Sequence, residues 1–299
     1  MSRPPLNRPL LSRPLLSWRA RRRVQGLLVQ ALVWLLAVFI LLPVAWLLIS
    51  SVTSNRELTA LPLHFWPRSP DLSRYAALLS LAPGSPGESF LLALRNSLVV
   101  ALGATAVSLL VAIPAAYSLS RLPGRRGGLL YAVLATYMMP PVALVLPLYS
   151  LLGRAGLLNT LGGLVLVYCT VLTPFAIWLL KTNFDAVPAE IEEGAQIDGL
   201  GRWGLLWRVT LPLSLPGLST AAVWAILLAW DEFFYALLFT SSDSAKTLPV
   251  AIADFAAGRA VDYGLICAAG ALAALPPVLI GFALQRGLMS GLTAGSVKG

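Results

Sequence analysis

The stretch "LLVQALVWLLAVFILLPVAWLLISS", residues 27–51, carries no charged side chain over its whole length. As a helix rising 1.5 Å per residue it reaches about 37 Å, more than the roughly 30 Å of a bilayer's hydrocarbon core. Five further stretches have a similar character, at about 91–119, 129–151, 161–181, 213–239 and 263–285. Composition agrees: 58% of the 299 residues are apolar and 12% are charged, whereas soluble domains carry roughly 25% charged residues. Mean hydropathy is +0.79. The expected fold class is an all-α integral membrane protein with about six transmembrane helices.

The net charge of +9 would suit nucleic acid, but the charges cluster beside the apolar runs. We therefore read them as topology signals, with no nucleic-acid partner expected. Fifteen Lys and Arg fall on one side of the six spans: seven Arg before residue 24, then Arg121, Arg125, Arg126, Lys181, Arg202, Arg208, Arg286 and Lys298. The other side holds seven, namely Arg56, Arg68, Arg74, Arg95, Arg154, Lys246 and Arg259. The richer side faces the cytoplasm, so both termini are expected inside a multi-pass protein of the cytoplasmic membrane.

The first 23 residues contain "RPPLNRPLLSRPLLSWRARRR", rich in Pro and Arg and free of acid. Proline at this density blocks a continuous helix. We read residues 1–26 as a cytoplasmic arm lying on anionic membrane lipid, anchored by Arg19 and Arg21 to Arg23. The apolar run that follows is too long for a signal-peptide core and lacks a small-residue exit. Cys169 and Cys267 fall inside spans and read as buried thiols. His64 has no ligand partners nearby. No metal site, cofactor or catalytic residue is expected: the glycine-rich phosphate loop is missing, as are paired-cysteine and G-x-S-x-G signatures.

The inner stretch 182–212 has its own helical pattern. Residues 187–217 read "VPAEIEEGAQIDGLGRWGLLWRVTLPLSLPG". Pro188 suits a first helical position. Glu190, Glu192 and Glu193 follow in the first turns, favourable at the positive end of the dipole. Asp198-Gly199 ends the helix, with Gly199 able to go left-handed. A second segment, from about Arg202 to Thr210, is expected to stop at Leu211-Pro212. Ile191, Ala195 and Trp203 offer apolar and small surface outside the bilayer. Such an element docks into a partner's groove or rests on lipid head groups.

The run Glu193, Gly194, Ala195 to Asp198-Gly199, with Leu211-Pro212 downstream, resembles the EAA loop of bacterial ATP-binding-cassette importer permeases. One position departs: Gly194 stands where the family usually has Ala. Further stretches resemble the shorter permease of maltose-type carbohydrate importers. These are Asn96 to Arg121, "WDEFFYALLFTSSDSAKTLPVAI" from Trp230 to Ile252, and Gln285 to Gly299. The resemblance implies a type I permease architecture. It divides the chain into the arm at 1–26, a first helix and extracytoplasmic loop at 27–90, a core permease domain at 91–286 with its coupling loop at 182–212, and a cytoplasmic tail at 287–299. It implies three partners: ATPase subunits at the coupling loop (Glu190, Glu193, Gly194, Ala195, Asp198, Gly199, Leu211, Pro212), a second permease subunit, and an extracytoplasmic solute-binding protein. ATP hydrolysis is expected in the partners. The expected activity is inward movement of a sugar or oligosaccharide by alternating access.

Asp231 and Glu232 lie within the fifth span. Ionisable groups there are costly, at about 2.5–3.5 kcal/mol near the centre, and normally face a cavity or a partner. One reading makes Trp230, Asp231, Glu232 and Tyr235, with Asn96 at the start of the second span, a polar lining of a translocation path. The other makes the acids a helix–helix clamp, or leaves them wet near the outer surface. An ion-driven secondary transporter using Asp231 or Glu232 is the alternative from another class, and an ATP-driven permease for a non-sugar solute is a third.

Overall fold

The computed structural model describes residues 18–62, 64–121, 127–257 and 261–283. Most of the arm, the loop holding Arg125 and Arg126, Arg259 and the tail lie outside them. The described residues form helices and connecting turns with no strand. α1 (Trp18–Val52) is followed by two short helices, α2 (Asn55–Leu58) and α3 (Ser73–Leu78), then by α4 (Pro86–Arg121). α5 (Gly127–Tyr137), α6 (Pro141–Arg154) and α7 (Leu161–Asp185) come next. The stretch after α7 holds α8 (Ala189–Ile197), α9 (Arg202–Leu205) and α10 (Leu211–Leu213). α11 (Leu215–Trp230), α12 (Phe234–Phe239), α13 (Leu248–Asp254) and α14 (Tyr263–Ala273) complete the order.

Four helices are long and apolar enough to cross a membrane, and six spans result when each of two bent pairs counts as one. Both bends fall at or near prolines. Between α5 and α6 the axis turns by 89°, at the tandem Pro140-Pro141. Pro140 precedes a proline, which disfavours the helical region, and it is extended at φ −62°, ψ 129°. The second bend, of 80°, separates Arg202–Leu213 from Leu215–Trp230. By contrast, Pro43, Pro114, Pro147 and Pro174 sit inside unbroken helices. The first helix also starts earlier than expected: Trp18 to Gly26 are helical and continuous with the span. Proline ceases at Pro14, so nothing prevents the basic run from joining it.

α4 and α7 pack along much of their lengths and form the spine. The reason is legible along α4, where Ala93, Ser97, Ala101, Ala104, Ser108, Ala112 and Ala116 recur at intervals of three or four. All seven are buried. Small side chains on one face let helix backbones approach where lipid supplies no hydrophobic drive. Thr173 Oγ1 donates to Ser108 Oγ at 3.2 Å and Cys169 Sγ to the Ala104 carbonyl at 3.7 Å, crossing the same seam. Two apolar clusters follow, one around Phe90, Tyr168 and Phe239 and one around Tyr117, Phe184 and Leu206. α1 instead presents Leu35, Phe39 and Leu42 outward, as a lipid-facing helix must.

The segment 53–90 holds more structure than its prolines suggest. Arg74 of α3 is buried, and its Nη1 donates to the Thr53 carbonyl at 2.6 Å. Its Nη2 pairs with Asp262 Oδ1 at 3.0 Å, and its Nε donates to Asp262 Oδ2 at 3.2 Å. Asp262 also caps α14 by accepting from Leu265 N at 3.1 Å. Asn55 donates to the Val261 carbonyl and accepts from Tyr263 N. Together these groups tie the end of α1 to the start of α14.

Candidate functional site

The 182–212 loop forms as a helical hairpin. Pro188 is the N-cap of α8, one position ahead of expectation, and Glu190 and Glu192 fall in the first turn. α8 ends as expected. Gly199 takes φ +89°; Leu200 N donates to the Ala195 carbonyl at 3.1 Å and Gly199 N to that of Gln196 at 2.9 Å. This is the Schellman closure, which a glycine satisfies without strain. The second helix does not stop at Leu211-Pro212. It runs through a π-helical turn, Leu206–Thr210, into α10 and ends at Leu213. A wider turn just before Pro212 suits a residue that lacks the N–H an α-helix would use.

The hairpin has two faces. Glu190, Glu193, Gly194, Asp198 and Gly199 are exposed, and beside them stand Ile197 at 87% and Trp203 at 67% of full exposure. Ile191 and Trp207 extend this surface. Ala195 is half-buried against the apolar cluster around Tyr117, Phe184 and Leu206. Leu211 and Pro212 lie beyond the π turn, in α10, where Leu211 packs on the same cluster. Large apolar side chains therefore stand exposed beside acids on one face of the hairpin, the composition found at contact surfaces.

The opposite face holds a group that the motif reading passed over. Glu192 is buried; its Oε1 pairs with Arg121 Nε at 2.8 Å and accepts from Thr210 Oγ1 at 2.7 Å. Tyr117 OH donates to Glu192 Oε2 at 3.3 Å. Arg121 Nη2 donates to the carbonyls of Phe184 and Val187, at 2.8 and 2.6 Å. The available signal was one arginine closing a long apolar helix ahead of an acid-rich loop.

The fifth span is broken where its acids lie. α11 ends at Trp230, a length of about 24 Å at 1.5 Å per residue, and α12 resumes at Phe234. Asp231 is the C-cap of α11. Glu232 turns back on the chain: Oε1 accepts from Tyr235 N at 2.8 Å and Oε2 from Ala236 N at 3.1 Å. Both bonds fall at the start of α12, where a carboxylate meets otherwise unpaired N–H groups. Asp231 lines an open cavity of about 590 Å³ with Trp230, Pro249, Ile252, Gly270 and Pro277. Trp230 Nε1 donates to the Ala273 carbonyl at 3.2 Å, and Tyr235 is buried in the apolar cluster around Phe90, Tyr168 and Phe239.

Asn96 is buried, and its Nδ2 points at three carbonyls, those of Asp243, Ser244 and Lys246, at 3.0–3.2 Å. Asn159 Oδ1 accepts from Ser241 N and Ser242 N. The turn at 241–246 is thus held from α4 and from the turn between α6 and α7. Lys246 bonds Asp254 at 2.6 Å, and that bond lifts its ammonium above the ordinary lysine value. Among the described residues no group of His, Cys, Asp and Glu could hold a metal ion.

A sequence profile described as binding-protein-dependent transport system inner membrane component matches residues 108–293. The chain is 36% identical over 260 residues to the sulfoquinovosyl glycerol transport system permease protein SmoH of Agrobacterium fabrum, covering 87% of this chain and 89% of that protein. It is 32% identical over 268 residues to the trehalose/maltose transport system permease protein MalG of Thermococcus litoralis, covering 89% and 94%. In structure it resembles a chain of a bacterial ABC transporter involved in the import of the acidic polysaccharide alginate. The TM-score is 0.75 at 21% identity, over 92% of this chain and 99% of that one. With a profile match over more than half its length, the chain belongs to the inner membrane components of binding-protein-dependent transport systems, the permease subunits of ABC importers.

Proposed function

We propose that this permease moves a sugar or oligosaccharide inward, paired with a second permease subunit and driven by separate ATPase subunits bound at the 182–212 loop. An extracytoplasmic binding protein delivers the cargo. The cargoes named for the similar proteins, sulfoquinovosyl glycerol, trehalose or maltose, and alginate, are all carbohydrates. Both chain ends lie in the cytoplasm, a reading supported by the excess of Lys and Arg on that side. In this arrangement the core 91–286 carries transport, and the arm 1–26 rests on anionic lipid.

The observation that carries the ATPase assignment is the exposed surface of Glu190, Glu193, Gly194, Ile197, Asp198 and Trp203 on a hairpin fixed from behind. Along the path, Asp231 and the Trp230 ring line the cavity, while Glu232, Tyr235 and Asn96 shape the wall through bonds and packing. Reversing one exposed charge, Glu193→Lys, is expected to strip the ATPase from the permease during detergent co-purification. Retention at the wild-type level would remove Glu193 from the contact.

A further inference from the structure

The side chains of Arg121 and Glu192 pair on the floor of an open cavity that Glu193 and Arg202 also line, behind the exposed residues of the proposed docking surface. They are 17% and 5% exposed. Arg121 closes α4 and binds the carbonyls that end α7 and lead into α8. Glu192 stands in the first turn of α8 and reaches Tyr117 on α4 and Thr210 on the π turn. Two side chains therefore join α4, the end of α7, α8 and the stretch leading to α11. α8 otherwise packs on α9 and the π turn, with Ala195 and Leu200 supplying apolar contact to the spans.

A buried ion pair is weak evidence for stability, because well-packed apolar residues often serve as well. Its bonds are directional, however. Apolar contacts of Ala195 and Leu200 permit sliding, whereas an arginine bonded to a carboxylate and two carbonyls fixes distance and angle together. We infer that Arg121 and Glu192 are positioning residues forming the rigid joint through which movement of α8 passes to α4 and α7. The inference rests on the docking reading above. Without the joint, α8 follows its partner while the spans lag, and ATP is hydrolysed without transport.

The test uses the complete importer in proteoliposomes, measuring ATPase retained and substrate imported per ATP hydrolysed. Glu192→Gln is expected to keep the ATPase bound while import per ATP falls by about tenfold. Arg121→Gln should match it, and the double variant should be no worse than either single one, since both break one joint. Tyr117→Phe and Thr210→Val, each losing one bond to Glu192, should give intermediate losses. Unchanged import per ATP in Glu192→Gln would overturn the joint, as would loss of ATPase binding in that variant. If Glu192→Gln does not accumulate in the membrane, the two milder variants decide, and an unchanged ratio in both overturns it. Failure of the docking reading looks different: there Glu193→Lys leaves ATPase retention intact.

Discussion

Gly199→Trp is expected to abolish ATP-driven uptake, with a loss of about a hundredfold or more, while the permease still accumulates in the membrane. Two effects act at this position. At φ +89° an L-residue is strained, by about 1–2 kcal/mol. A Cβ built there meets nothing within 4 Å, so the indole has room to stand out from the hairpin tip. It would occupy the space a docked ATPase needs, between exposed Ile197 and Trp203. Gly199→Asn separates the effects, because Asn visits the left-handed region readily and is small. Uptake near the wild-type level is expected for Asn, with Ala in between. Uptake assays and ATPase co-purification, normalised to permease in the membrane, check this. Wild-type uptake in Gly199→Trp would contradict the docking role of the loop.

Gly264→Ala is expected to cause a large loss of stability from the addition of one methyl group. A Cβ on Gly264 would lie 2.2 Å from both Cζ and Nη1 of Arg74. That guanidinium cannot withdraw, because it is bonded to Asp262 and to the Thr53 carbonyl. Overpacking at a rigid neighbour costs about 1–3 kcal/mol and occasionally more. Breaking the Arg74 bonds as well would leave a buried cation short of partners, a further penalty. Thermal unfolding in detergent should show a midpoint several degrees below wild type. Gly281→Ala, with nothing within 4 Å of its new Cβ, should leave the midpoint unmoved. Equal midpoints for both variants would mean that α14 is not held by the Arg74 clamp.

The spans were legible because a bilayer demands long apolar runs, and residues 27–51 meet that demand with no ambiguity. The hairpin was legible too, since Asp198-Gly199 specifies a helix end by local chemistry. What escaped is what tertiary contact decides. Pro140-Pro141 turns the chain by 89°, whereas Pro114 and Pro174 sit inside unbroken helices. Hydropathy cannot separate these cases. The break after Trp230 was hidden because Phe233 to Phe239 continue the apolar pattern. Its sign was the Asp231-Glu232 pair itself, which ends one helix and starts the next. Arg74 was counted as an outer-side charge, and only the fold shows that it is buried against Asp262, 188 residues away. Glu192 was indistinguishable from Glu190 and Glu193 in a run of acids, and the rotation of α8 alone turns it inward.

The most direct test of the permease assignment is uptake by the complete importer in sealed vesicles, with ATP and a proton uncoupler varied independently. Uptake that requires ATP on the side of the 182–212 loop, requires the ATPase subunits, and continues undiminished with the uncoupler is the expected result. Uptake that persists without ATP and collapses with the uncoupler would contradict it, and would make Asp231 or Glu232 an ion site.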